Sequence, residues 1–341
     1  DIQGIMNRPD KNTISVLFHR PGAPTLERLV PDDNGLACFR MHPWEHARQH
    51  KAIVVRGRIE TGTSVLGEER PRIKPNAIPI RGTERQTHLD RVALGKVSIE
   101  SGVLQKVVLS SQLTVGIDSL DPEEVVRRQA QAHPDSFSWM IQHPEIGMWF
   151  GSSPEPLVQG EWPRFQTACL AGTRMTHTGA QTDPWTPKEI HEQQLVVDAV
   201  LASLEDSQCE NIHIGARNTV RYGPIEHLRT IVEFSATQPV TEVVNALHPT
   251  PAVGGTPRDA ALAFIRENED HDRAFYTGWV GLEQGNEVSY FVNLRCAALQ
   301  DGELTAYAGG GITAGSDPAS EWEETRNKLQ SVLDPIVHWS K

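Results

Sequence analysis

The chain has 341 residues, 38% hydrophobic and 22% charged, with a formal net charge of -12. That composition is ordinary for a soluble globular protein with a large core, its acidity disfavours nucleic acid and anionic membrane, and no apolar run nears the roughly 18 residues of a membrane span. Cys38, Cys169, Cys209 and Cys296 stand far apart with no C-x-x-C, so neither a zinc site nor a disulfide framework is indicated, and a cytoplasmic location is expected.

Residues 1–50 mix short apolar runs such as "TISVLF" with Pro and Gly and read as short strands and turns. The stretch from Leu66 to Thr87 is rich in Pro and charge and reads as a connector. "QKVVLSSQLTV" (105–115) is β-branched and near-alternating, which predicts a strand with Lys106, Val108, Ser110 and Gln112 on one face. "DPEEVVRRQAQAH" (121–133) opens with Asp121 as N-cap and Pro122 in the first turn, a helix start. "SFSWMIQ" and "GMWFGSSPE" then read as two strands about a turn at Pro144.

The clearest predicted helix is 186–206, where Thr186 and Glu189 have capping-box spacing and Ile190, Val197, Leu201 and Leu204 form the apolar face. Residues 277–299 read as a hairpin turning at Gly285-Asn286, and Arg295 lies in its otherwise apolar second half, where a charge needs a partner. "ELTAYAGGGI" predicts a strand ending in a glycine turn, and 318–333 the last helix. Length allows one large domain or two smaller ones; since strands and helices do not alternate regularly, the class expected is α+β.

Two E-x-x-E pairs carry chemistry. Glu321, Glu324 and Lys328 fall within about 60° of one helix face. Glu189 and Glu192 repeat the spacing on another helix. The plain alternatives are a solvated Glu324–Lys328 pair and a capping role for Glu189; facing one another, the four carboxylates would have to protonate or bind a cation. Oxygen ligands without His or Cys suit Mg²⁺. The glycines lack the Lys-Ser/Thr of a P-loop and the G-x-G-x-x-G of a dinucleotide fold, but Gly309 and Gly311 could present backbone N–H groups to a carboxylate.

Over residues 85–341 the sequence resembles the chorismate-utilising enzymes, and within them the isochorismate synthases. The resemblance rests on "KVVLSS", "GSSPEPL", "LAGTR", "KEIHEQQLVVDAV", "HLRT", "ALHPTPAVGGTP", "FYTGWVG" and "YAGGGI…EWEETRNKL", in that order. It implies one catalytic domain over 1–341, an α/β sandwich of two antiparallel β-sheets flanked by helices, with 1–84 as the N-terminal part of the sandwich and 85–341 as the catalytic core. It also implies chorismate as substrate and Mg²⁺ as cofactor, with Glu192 and Glu324 holding the metal and Glu189 and Glu321 supporting them. Tyr276, Arg295, Lys328, Gly309 and Gly311 would bind the pyruvyl carboxylate, while Gly172, Thr173 and His227 line the ring site. Lys106 would be general base toward water at C2, Glu155 general acid toward the C4 hydroxyl, and His227 the third member of the catalytic group.

Among relatives, amine-transferring anthranilate synthases usually have Gln where Lys106 stands, and aminodeoxychorismate synthases a Lys where Ala171 stands. Many salicylate synthases have Thr where Ala252 stands, which makes them the second reading; a catalytically silent chorismate-binding homologue is a third. Gln193 and Ser111 depart from the usual pattern, the first where loosening of the metal helix is expected. A monomer or weak homodimer is expected.

Overall fold

The computed structural model describes residues 13–44, 50–64, 76–118, 120–175, 184–222 and 225–339, the side chains of Thr63, Ser64, Thr173, Met175, Lys188, Tyr222 and Ile225 excepted. In chain order its first half comprises β1 (Ser15–His19), β2 (Thr25–Pro31), β3 (Ala37–His42), β4 (Ile53–Ser64), β5 (Asn76–Gly82), α1 (Arg85–Glu100), β6 (Lys106–Gly116), α2 (Pro122–Ala132), β7 (Phe137–His143), β8 (Gly147–Ser153), β9 (Pro156–Glu161) and β10 (Arg164–Met175). The second half comprises α3 (Pro187–Asp206), β11 (Glu210–Ile214), β12 (Asn218–Tyr222), β13 (Ile225–Ser235), α4 (Val240–Leu247), β14 (Gly255–Thr256), α5 (Arg258–Asn268), β15 (Trp279–Gln284), β16 (Glu287–Val292), β17 (Cys296–Gln300), β18 (Glu303–Ile312), α6 (Pro318–Leu333) and β19 (His338–Trp339).

Two antiparallel sheets share the long strand β4. Its C-terminal part pairs with β2 and leads through β1, β7, β8, β17 and β18 to β6. Its N-terminal part pairs with β3 and leads through β15, β16, β9 and β10 to β13. Gly57 belongs to both ladders, opposite Pro31 in one and Ala37 in the other. A Cβ there would lie 2.2 Å from the Val30 carbonyl oxygen, so the crossing requires glycine. Among the described pairings only β5–β19 is parallel.

Side chains of both sheets meet in a middle layer: Val16, Phe18 and Trp139 from one, Phe39, Val280 and Phe291 from the other. Helices α3, α4 and α5 cover one outer face through Val197, Val243 and Leu262, and α2 and α6 cover the other through Val126 and Leu329. Each of these five helices hides apolar side chains against a sheet, and the sheets hide their inner faces against each other, which is the layered α+β sandwich expected.

Local signals explain most elements. Asp121 Oδ1 accepts the Glu123 and Glu124 N–H groups and starts α2, while Asp317 Oδ1 accepts the Ser320 N–H and starts α6. Four expectations need correction. Within the supposed connector 66–87, residues 65–75 lie outside the described residues, but Asn76–Gly82 forms β5 and Arg85 opens α1. The face α1 buries is His88, Arg91, Val92 and Gly95, half of it polar, so no apolar stripe announces it. In α3, Ile190 is exposed and the buried face is Gln193, Val196, Val197, Val200 and Leu204. Finally, Gly309–Gly311 is not a turn but the paired interior of β18, and Arg295 is not within a strand but in the break between β16 and β17, with φ 48°.

Candidate active site

The floor of the site is the pairing of β18 with β6, where Gly309, Gly310 and Gly311 lie opposite Ser110, Leu109 and Val108. Alternate residues of a strand face opposite sides, and the three glycines serve both. A Cβ on Gly311 would lie 2.8 Å from Lys106 Cε, and one on Gly309 would lie 3.0 Å from the Tyr276 hydroxyl. On the other side, a Cβ on Gly310 would lie 3.1 Å from Glu321 Oε2. Bare backbone is therefore what lets Lys106 and Tyr276 lie down on one face while α6 brings its carboxylate onto the other. Tyr276 is buried and fixed by stacking on Tyr307 at 5.7 Å, which in turn stacks on Trp149 at 5.6 Å.

Around Lys106 the charges converge. Burial lowers its pKa, and Lys328 adds to this, while the carboxylates of Glu192 and Glu155 pull it back up. Glu155 follows β8, which ends in three fully or nearly buried residues, Gly151, Ser152 and Ser153; burial pushes its carboxyl up to about 7, against the pull of Lys106. A desolvated lysine and a desolvated glutamic acid thus share one spot, each displaced toward its neutral form. His227, on β13, hydrogen-bonds the Gly172 backbone, and its pKa is lowered by burial and by Lys106 and Lys328. Gly172 has φ 69° and forms a bulge where β10 passes β13 between Ala171 and Thr173. A Cβ there would lie 3.3 Å from Glu189 Cβ, so the bulge seats the first turn of α3. The Thr173 side chain lies outside what is described.

The glutamates stand as two pairs rather than one cluster: among the described residues no three His, Cys, Asp or Glu side chains are grouped to hold a metal ion. Glu189 Oε2 accepts the Thr186 N–H at 2.8 Å, as the capping spacing predicts, and Glu324 pairs with Lys328 at 2.7 Å. Lys328 Nζ also donates to the Gly309 carbonyl at 3.0 Å, tying α6 to the glycine strand. Glu321 is half-buried, and its pKa is raised by that burial and by Glu324 and Asp317, with Ser316 and Lys328 opposing. An anion held in such surroundings fits a nearby cation, and all four donors are hard oxygens. Since Mg²⁺ takes one or two carboxylates directly and fills its octahedron with water and substrate oxygens, the carboxylate chemistry of Glu189, Glu192, Glu321 and Glu324 is compatible with it.

Arg295 stands apart from this group. Its Nη1 lies 3.4 Å from His133 Nδ1 at the end of α2, no described carboxylate pairs with it, and burial lowers its pKa. His133, held near neutral form by burial and by Arg295 with a pKa of about 4, carried no sequence signal. Both departures from the expected pattern have partners of their own. Gln193 is fully buried; its Nε2 donates to Thr230 Oγ1 at 2.9 Å, and its Oε1 accepts from Arg217 Nε at 2.7 Å. That brace ties α3 to β13 three residues from His227, so α3 is anchored there rather than loosened. Ser111 Oγ meets His88 Nδ1 at 3.0 Å. Two cavities, of 210 Å³ beside Leu17, Glu27 and Glu123 and of 630 Å³ along Gln159, Glu161 and Glu287, contain none of these site residues.

The family model for chorismate binding enzymes matches residues 43–337. The chain belongs to that family. As a chorismate binding enzyme it is 31% identical over 269 residues to the isochorismate synthase DhbC of Bacillus subtilis, covering 73% of this chain and 67% of that protein. It is 32% identical over 266 residues to the salicylate biosynthesis isochorismate synthase of Pseudomonas aeruginosa, covering 74% of this chain and 55% of that one, so the chain spans little more than half that relative's length. Its fold matches that of MenF, the menaquinone-specific isochorismate synthase of Escherichia coli, with a TM-score of 0.79 at 19% identity over 95% of this chain and 90% of the other.

Proposed function

We propose that this protein is an isochorismate synthase, an isomerase that converts chorismate to isochorismate with Mg²⁺ as cofactor. The observation that carries the reading is the coupled pair at the glycine floor: Lys106 biased toward free amine and Glu155 biased toward neutral acid with a pKa of about 7. Water is deprotonated by Lys106 as its oxygen bonds to C2 of the ring. The ring double bonds shift, the C4–oxygen bond breaks, and Glu155 protonates the departing hydroxyl, so a second water leaves and the product is an isomer. The pair ends with its proton moved from Glu155 to Lys106, and transfer back through solvent resets it.

Tyr276, Lys328 and the Gly309–Gly311 backbone are placed to orient the pyruvyl carboxylate, and Arg295 would have to turn from His133 to join them. His227, kept neutral by its surroundings, lines the ring side with Gly172. Glu192 and Glu324 would hold Mg²⁺, which when bound would supply positive charge toward the ring carboxylate of the substrate. Ala171 offers no side-chain amine to attack the ring, and Ala252 no hydroxyl to steer loss of pyruvate. The test is incubation with chorismate and Mg²⁺, with isochorismate, salicylate and pyruvate resolved by chromatography. Isochorismate as main product supports the reading; stoichiometric salicylate and pyruvate transfer the protein to the salicylate synthases, and unchanged chorismate points to a silent homologue.

A further inference from the structure

Strand β6 carries Lys106 but lacks a continuous neighbour on the edge away from β18. β14 reaches it only at Lys106 and Val107, and β5 only from Leu113 onward. In the gap, two side chains take the place of a strand: the Ser110 N–H donates to Glu269 Oε1 at 2.7 Å, and the Val108 carbonyl accepts from Arg273 Nη2 at 2.7 Å. Arg273 is 2% exposed and uses every donor it has. Its Nε and Nη2 grip the two oxygens of Glu269 at 2.8 and 2.7 Å, and its Nη1 donates to the Val253 carbonyl at 3.1 Å and to Thr277 Oγ1 at 3.2 Å. With the Val108 bond, five N–H groups meet five acceptors. Trp44 closes the flat face, its ring centroid 4.6 Å from Arg273 Cζ.

We infer that Arg273, clamped by Glu269, is a positioning residue for the reaction, setting Lys106 against Tyr276. Three of its contacts lie close to positions already named: Val108 is two positions from Lys106, Thr277 follows Tyr276, and Val253 follows Ala252. A guanidinium with all donors committed has one seat, so the base strand, the tyrosine loop and the turn before Gly254 share one register. Lysine could keep the charge but not the fork. The inference rests on the reading of Lys106 as general base, and its test separates the two.

Two variants are compared with the unaltered protein: Arg273→Lys, and Glu269→Gln with Arg273→Met together, which removes both buried charges at once and preserves folding where a lone charge would not. Per folded molecule, kcat for chorismate is expected to fall about 100-fold, the scale of an ångström-sized misplacement, with KM changed less than about threefold. Hydrogen exchange should quicken together in peptides covering 106–116 and 273–278 and stay unchanged in β1 and β2. A pair that merely stabilises the fold would lower the melting temperature and leave kcat per folded molecule intact; that result overturns the inference. Should the unaltered protein convert no chorismate, the functional reading fails on its own, and the exchange pattern alone decides: joint loosening upholds the clamp, unchanged exchange in either segment rejects it.

Discussion

Replacing Glu155 by Gln should stabilise the fold relative to the unaltered protein, increasingly so as pH rises, while it disables the chemistry. Burial raises the Glu155 carboxyl from 4.5 to about 7. A raised acid favours the folded state fully only below its unfolded value; as pH climbs from 4.5 toward 7 the unfolded chain ionises first, and stability is lost. At about 1.4 kcal/mol per pH unit, the loss reaches about 3 kcal/mol by pH 8 and is about 1 kcal/mol at pH 5. Glutamine does not titrate. The stability difference between Glu155→Gln and the unaltered protein should therefore grow by about 2 kcal/mol between those pH values. The pull of Lys106 on the carboxylate is already contained in the value of about 7, so it does not reduce this figure further. Urea melts of both proteins in EDTA, with slopes checked for equality, measure it. Comparing the difference at two pH values cancels whatever the new amide does to packing. Turnover of chorismate should fall by about 10²–10⁴-fold as the proton donor is lost. A difference that does not vary with pH would refute the shifted carboxyl and with it the neutral acid at C4.

Further outcomes are expected. The pH profile of kcat/KM should be bell-shaped, activity falling on the alkaline side as Glu155 loses its proton above about 7 and on the acid side as Lys106 gains one; Lys106→Gln should lower turnover by about 10²–10⁴-fold while calorimetry still finds chorismate bound. Glu192→Ala and Glu324→Ala should each abolish Mg²⁺ binding measured by calorimetry without lowering the melting temperature, and turnover that survives EDTA would sink the metal assignment. Arg295→Lys should raise KM for chorismate, because a point charge replaces a planar fork; an unchanged dissociation constant would remove Arg295 from the substrate site. Gln193→Ala should cost about 1–3 kcal/mol in chemical denaturation, since Thr230 and Arg217 each lose a buried partner.

What the sequence determined by itself is local. Asp121, Asp317 and the Thr186–Glu189 pair mark helix starts because a capping side chain meets backbone groups only a few residues away. β6 was legible from its alternation, and Lys106 and Glu155 from the blocks that carry them. Tertiary structure decided the rest. The glycines read as a turn because composition alone cannot distinguish freedom of φ from the need for an absent side chain; only their pairing with β6 shows that Lys106, Tyr276 and Glu321 need the space. Helix α1 was illegible because its buried face contains His88 and Arg91, which are paid for by partners distant in sequence, Ser111 and Asp270. The run "ENEDHDR" looks like a solvated charge cluster, yet Glu269 and Arg273 are buried because β6 leaves a gap in its edge that a fork of charge fills. Whether a polar residue is surface or scaffold depends on which backbone groups other strands leave unpaired, and that is settled only when distant strands meet.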